Sequence, residues 1–247
     1  MAYILSPLRV IYKIYYLIFF VLSLIILYPV LYYLLSDQKR FPKAFKVMRF
    51  QAKMLLLFAG VRLNVIGSHN IPKTGAFIIC PNHSSFLDIP CLYSIFKQYF
   101  VFTGKKEIEK WPLFHIYYTS GMNILVDRHS KTGSIKALKR MSQEIERNHP
   151  LMIFPEGTIS KHVPKLGPFK TGAFALAIQK QIPILPVTFV TNWERLQRSG
   201  LWKGKAGPGV AKVVIHKPVM TTALNKDHID QLKNEVYTIV NAPFSIY

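Results

Sequence analysis

The stretch "FIICPNHSSFLDIP" sets His83 and Asp88 five residues apart, directly after an apolar run. An imidazole beside a carboxylate can take a proton from an alcohol, because the carboxylate fixes the imidazole tautomer and raises its basicity. On one continuous helix, residues five apart point about 140° away from each other. The two groups therefore meet only if the chain changes element between them, and the residues predict such a change. "AFIIC" reads as a short buried strand. Pro81 and Asn82 are breakers, and Ser84 and Ser85 are N-cap residues before a helix over "FLDIPCLYSIF". His83 then occupies a strand-to-helix turn and Asp88 the first helical turn. On this stretch alone two readings stay open: a general base with its orienting carboxylate, or a structural His–Asp bond at a helix start.

The surrounding elements must position this pair. From residue 61 onward strand-like runs ("LNVIG", "AFIIC", "YFVFTG", "NILVD", "LMIFP", "ILPVTFV", "AKVVIHKPV") alternate with helix-like ones ("FLDIPCLYSIF", "WPLFHIYYTS", "KTGSIKALKRMSQEIERN", "KTGAFALAIQK", "DHIDQLKNEVYTIV"). The pattern predicts an α/β fold, a mostly buried mixed sheet of about seven strands flanked by helices, preceded by two N-terminal membrane-associated helices. Residues 1–60 form the helical N-terminal part and residues 61–247 the α/β domain. In such sheets ligands gather at strand ends. Three polar clusters fall there: His83 with Asp88, Asp127 with Arg128, and Glu156, Gly157 and Thr158. A guanidinium such as Arg128 grips phosphate through two parallel bonds, although a surface ion pair with Asp127 is the plainer reading. Lys105 is a second phosphate candidate, or else a solvated lysine. Gly157 would let the backbone approach a ligand. Glu156 reads either as a group that orients Arg128 or bonds a hydroxyl of the ligand, or as the cap of a strand-end turn.

Charge narrows the partners. The chain of 247 residues carries a formal net charge of +20, with 32 Lys and Arg against 12 Asp and Glu. That balance calls for a polyanion: nucleic acid, anionic lipid or an acidic protein. Residues 14–35, "IYYLIFFVLSLIILYPVLYYLL", decide between them. They hold no charged side chain, would reach about 33 Å as a helix, and carry Tyr15, Tyr16, Tyr32 and Tyr33 at their ends. The run is too long for a signal-peptide core and lacks a small-residue cleavage site. Pro29 leaves open a hairpin dipping into one leaflet. Next, Lys46, Arg49 and Lys53 share one helix face, and Phe45, Met48 and Ala52 lie on another. This is the pattern of an interfacial helix meeting anionic lipid headgroups. If residues 14–35 span, the positive-inside rule places residue 36 onward in the cytoplasm. The partner is then a membrane and not nucleic acid. Cys80 and Cys91 sit in apolar surroundings and read as reduced core residues. The histidines lack Cys or His neighbours at zinc-ligand spacing. No Walker or dinucleotide motif occurs, so neither a metal nor a bound cofactor is expected.

The segments "NHSSFLD", "GMNILVDR", "FPEGT" and "IPILPV", in that order, resemble the four motifs of the glycerolipid acyltransferase family, whose first motif is HxxxxD. "GKKEIEKWPLF" and "PFKTGAFALAI" resemble its connecting segments, and the likeness is strong over about residues 75 to 190. The resemblance implies acyl transfer from a thioester, on coenzyme A or acyl carrier protein as co-substrate, to the free 2-hydroxyl of lysophosphatidate at a membrane. It makes His83 the base and Asp88 its partner, with Arg128, Glu156, Gly157, Thr158 and Lys105 at the acceptor. Ser84 and Ser85 leave an acyl-enzyme route open. One departure stands out: Ile159 follows "FPEGT" where the family often has arginine, which raises other lysolipids, including lyso-ornithine lipid, as acceptors. A membrane-binding module without activity would keep the basic helices but would not need His83, Asp88, Arg128 and Glu156 together.

Overall fold

The computed structural model describes residues 5–127 and 130–244. Among these, seven strands form one sheet: β1 (Val61–Ile66), β2 (Ile78–Pro81), β3 (Val101–Lys105), β4 (Ile124–Val126), β5 (Leu151–Met152), β6 (Ile184–Phe189) and β7 (Gly209–Ile215), in the order β1-β7-β6-β2-β5-β3-β4. All neighbours pair in parallel except β6 and β7, which are antiparallel. The helices are α1 (Leu5–Leu35), α2 (Phe41–Phe58), α3 (Asp88–Ile95), α4 (Ile116–Thr119), α5 (Lys131–Glu146), α6 (Gly172–Lys180), α7 (Asn192–Arg195) and α8 (Ile229–Asn241).

The central strands read as unbroken apolar runs because both their faces are covered. Every residue of β2 and β6 is buried. Around β2, Phe77 and Ile79 join one core with Phe45 and Met48 of α2 and Leu92 of α3. Ile78 and Cys80 join the other with Met141 of α5, Phe174 of α6 and Val236 of α8. Each such apolar side chain stabilises the fold by about 1.5–3 kcal/mol. Strands β1 and β7 instead alternate buried with more exposed residues, as expected where one face meets solvent. The prolines of "IPILPV" shape β6: the Pro183 carbonyl accepts the Ile78 N–H at 3.0 Å, and Pro186 stands opposite Cys80.

The N-terminal helices form an antiparallel hairpin. The Tyr15 hydroxyl reaches the Phe58 carbonyl at 3.1 Å, Phe19 packs on Phe58 with ring centroids 4.4 Å apart, and Gln51 donates to Ser23 at 3.0 Å. Phe45, Met48 and Ala52 do share one face of α2, but that face is buried in the protein core and not turned outward as an interfacial helix would have it. Of the basic face, Lys46 and Lys53 are exposed, while Arg49 is half-buried and donates from Nε to the Tyr93 carbonyl at 3.1 Å. Helix α1 begins well before residue 14 and runs unbroken through Pro29. Leu24, Leu31 and Leu35 face inward, whereas Ile11, Ile18, Leu22, Ile25 and Tyr33 are exposed. One predicted helix is mostly irregular: over "WPLFHIYYTS" only Ile116–Thr119 is α-helical, because Pro112 is followed by Leu113 at φ 63°, outside the helical region.

Candidate active site

The expected change of element occurs between the end of β2 and the start of α3, and it brings the pair together. His83 Nδ1 lies 2.9 Å from Asp88 Oδ2. The carboxylate caps its own turn. Its Oδ2 also accepts the Ser84 N–H at 2.6 Å and the Ser85 N–H at 2.8 Å, and its Oδ1 accepts Ser84 Oγ at 3.3 Å and Asn192 Nδ2 at 2.8 Å. These bonds supply the compensation that a fully buried carboxylate needs. They also correct the capping expectation. The N-cap of α3 is Leu87, without a side-chain cap bond, and the two serines do other work. Ser84 Oγ serves Asp88, while Ser85 Oγ donates to the Leu196 carbonyl at 2.7 Å and accepts the Leu87 N–H at 3.1 Å.

With Nδ1 turned to Asp88, Nε2 is left as the ring nitrogen that can accept a proton. The imidazole stacks on Phe154, with centroids 3.7 Å apart and planes 8° from parallel, and keeps 14% of its side-chain surface exposed. The tautomer and plane of the ring are thus both held, by Asp88 and by Phe154.

The segment "FPEGT" builds the wall beside it. Glu156 Oε1 accepts the His83 N–H at 2.7 Å, and the His83 carbonyl accepts the Ser160 N–H at 3.0 Å, so this segment holds the histidine backbone from both sides. Glu156 Oε2 accepts the Gly167 N–H at 2.6 Å; a Cβ at Gly167 would sit 2.9 Å from that oxygen, so glycine permits the approach. Burial pushes the Glu156 carboxyl up to about 7 against these two donors. Gly157 takes φ 73°, a left-handed turn that glycine enters without strain.

A cleft of about 390 Å³ opens here, lined by Lys105, Glu107, Val126, Glu156, Gly157, Thr158 and Lys170. Of the residues singled out in the sequence, Lys105, Glu156, Gly157 and Thr158 therefore meet in one cleft, adjoining His83 through Glu156. Arg128 lies outside the described residues. Asp127 pairs with Lys106 at 3.0 Å. Ile159 is buried, at 5% exposure, and Lys161 is exposed and does not line the cleft. Sequence reading missed three participants. Phe154 was visible only as a strand residue, Asn192 carries no local signal, and Gly167 acts through its backbone.

Comparisons with known proteins agree with this picture. A family model described as acyltransferase matches residues 62–190. A 1-acyl-sn-glycerol-3-phosphate acyltransferase of Helicobacter pylori is 39% identical over 134 residues, covering 54% of this chain and 55% of that protein. One of Saccharomyces cerevisiae is 33% identical over 186 residues, covering 74% of this chain and 60% of that protein. The chain thus spans little more than half the length of these curated relatives. The crystal structure of the 1-acyl-sn-glycerophosphate (LPA) acyltransferase PlsC from Thermotoga maritima shares the fold, with a TM-score of 0.79 at 22% identity over 98% of this chain and 96% of that one. A sheet of this order, with an HxxxxD turn at its centre and a family model matched across it, leads to one assignment: the chain belongs to the acyltransferase family.

Proposed function

We propose that the protein is an enzyme that moves a fatty acyl group from a thioester to the free 2-hydroxyl of lysophosphatidate, giving phosphatidate. The observation that carries this reading is the His83–Asp88 pair, held rigid beside a cleft that contains Lys105, Lys170 and Thr158. The curated relatives named for acylation of 1-acyl-sn-glycerol 3-phosphate support the choice of acceptor. In the reaction, the acceptor oxygen bonds to the thioester carbonyl carbon as its proton passes to His83 Nε2. Asp88 stabilises the resulting imidazolium. The tetrahedral intermediate collapses with cleavage of the C–S bond, and the departing thiolate takes the proton back from His83. General-base assistance of this kind contributes about 10²- to 10⁴-fold. No covalent acyl-enzyme is required, and the buried, bonded hydroxyls of Ser84 and Ser85 argue against one. Lys105 and Lys170 attract the acceptor phosphate, and Arg128 adds a guanidinium to it. Gly157 lets backbone approach the ligand. Coenzyme A or acyl carrier protein is the co-substrate, and no bound cofactor is invoked.

Residues 1–60 would supply membrane contact and residues 61–247 the chemistry. Helix α1 is long and apolar enough to cross a bilayer. Its inner face is packed on α2, however, and its outer face is exposed and apolar, which supports a hairpin lying in one leaflet. The excess of Lys over acidic residues on α2 favours the anionic cytoplasmic surface. A second reading, another lysolipid as acceptor, draws on Ile159, whose buried side chain brings no charge to the cleft. The deciding experiment measures kcat/KM of purified protein on lysophosphatidate, lysophosphatidylcholine and lyso-ornithine lipid with both donor types. Preference for lysophosphatidate supports the first reading, and preference for a zwitterionic lysolipid replaces it with the second.

A further inference from the structure

A short ribbon joins α7 to β7. Leu196 pairs with Ala206, the Gln197 N–H donates to the Lys205 carbonyl at 2.9 Å, and the Lys205 N–H returns to Gln197 Oε1 at 2.8 Å. These bonds make residues 196–206 a short antiparallel tongue. Its root is fastened to the HxxxxD turn: Ser85 bridges to Gln197, and Ser85 Oγ donates to the Leu196 carbonyl. Its tip is fastened to α1, where Lys13 Nζ donates to the carbonyls of Gly200, at 2.8 Å, and Lys203. Between these fastenings Arg198 turns to the cleft, and its Nη1 donates to Thr158 Oγ1 at 3.1 Å.

From this arrangement we infer that Arg198 is a headgroup-binding residue that, with Lys170 and Lys105, receives the anionic headgroup of the acceptor. Thr158 lines the same cleft as Lys105 and Lys170, to which Glu107 and Glu156 also contribute, so its hydroxyl holds the guanidinium at the rim of that cleft and adds a third cation beside the two lysines. A guanidinium has five N–H donors, and the threonine contact occupies one. Its planar fork suits two oxygens of a phosphate monoester, which a lysine ammonium engages only as a point charge. Lys13 is a positioning residue in this scheme. From a helix that meets the membrane, it fixes the tongue that carries Arg198, so bilayer contact and headgroup capture share one linkage. Lys13 stands just before the apolar run, and Arg198 lies past the last of the four motifs, which is why neither is conspicuous in the sequence.

The inference rests on the reading that the acceptor carries a phosphate, and the experiment separates the two. Steady-state kcat and KM are measured in detergent micelles with one thioester donor, using lysophosphatidate and monoacylglycerol as acceptors. The proteins are wild type, Arg198→Ala, Arg198→Lys and Lys13→Met. Arg198 is exposed, so its variants should melt with wild type. Arg198→Ala should lose about 10- to 150-fold in kcat/KM on lysophosphatidate, mainly through KM, and less than about threefold on monoacylglycerol. Arg198→Lys should recover part of the loss, and Lys13→Met should show a smaller loss with the same headgroup selectivity. If wild type does not prefer lysophosphatidate to monoacylglycerol, the phosphate reading falls and this inference with it. If wild type prefers lysophosphatidate but Arg198→Ala loses less than about threefold, or loses equally on both acceptors, only the role of Arg198 is overturned.

Discussion

Replacing Asp88 by asparagine separates the charge of the carboxylate from its shape. The substitution removes one negative charge and turns one acceptor oxygen into a donor, with almost no change in volume. The new amide has two orientations. With its nitrogen at the Oδ2 position it would face three donors at once, from His83, Ser84 and Ser85. With its nitrogen at the Oδ1 position it faces Asn192 and the rotatable hydroxyl of Ser84. The second orientation wins, and it leaves one buried donor of Asn192 unpaired, at about 1–3 kcal/mol. Thermal midpoint should therefore fall by about 2–12 °C. Catalysis should fall further. An imidazolium and a carboxylate with charge centres about 4 Å apart, at an effective dielectric of about 20, attract by about 4 kcal/mol. Loss of that term when His83 takes the proton corresponds to roughly 10³-fold in kcat. The control is Asn192→Ala, which removes one partner of Asp88 but leaves the charge. It should lower the midpoint comparably and kcat by less than about tenfold. Both variants are to be assayed for kcat and KM alongside thermal melts. A folded Asp88→Asn protein with kcat within threefold of wild type would refute the electrostatic role, and equal losses in the two variants would reduce Asp88 to a packing residue.

Two other predictions concern different parts of the molecule. Burial raises the Glu156 carboxyl from its ordinary 4.5 to about 7, so its contribution to stability is full below about pH 4.5 and is lost as pH rises through 7. Wild type should accordingly lose up to about 3 kcal/mol between pH 4.5 and 7 relative to Glu156→Gln, which does not titrate there; parallel pH profiles of the two melting temperatures would contradict this. On α1, replacing the exposed Ile18, Leu22 and Ile25 by glutamine should weaken vesicle binding about 100-fold, at roughly 1 kcal/mol per half-buried side chain, whatever the salt. Replacing Lys46 and Lys53 should weaken it by about 1 kcal/mol each at low salt only, and vesicle binding indifferent to both sets would remove the hairpin from the membrane.

Much of the site was legible because its signals are local. A strand run, two breakers and a helix within fourteen residues force His83 and Asp88 into one turn, and the spacing of Phe45, Met48 and Ala52 fixes the buried face of α2. The strands were legible as apolar runs, but their order was not, because pairing such as β6 with β7 joins segments with no local marker. Glu156 was singled out in the sequence, yet its partners are the backbone N–H groups of His83 and Gly167, which no residue type announces. Asn192 and Arg198 were missed for a related reason: each acts across a large sequence separation on a group that is itself local. The shared core of α2 and the sheet also changes how the N-terminus should be probed. Deleting residues 1–60 would uncover Phe77, Ile79 and Leu92, so point substitutions on the outer face of α1 are the cleaner test.

In the proposed reaction His83 itself takes the proton of the attacking hydroxyl. The most direct measurement is a single-turnover assay of acyl transfer from a labelled thioester to lysophosphatidate by wild type and His83→Ala, with folding of both verified by thermal melting and any acyl-protein adduct trapped by acid quench. His83→Ala should retain its fold, since the imidazole is partly exposed and packs on Phe154 at one face. Its rate should fall about 10²- to 10⁴-fold below wild type, with no acyl-enzyme in either protein. A folded His83→Ala chain that transfers at near the wild-type rate, or a labelled adduct on Ser84 or Ser85 in wild type, would contradict the proposed reaction.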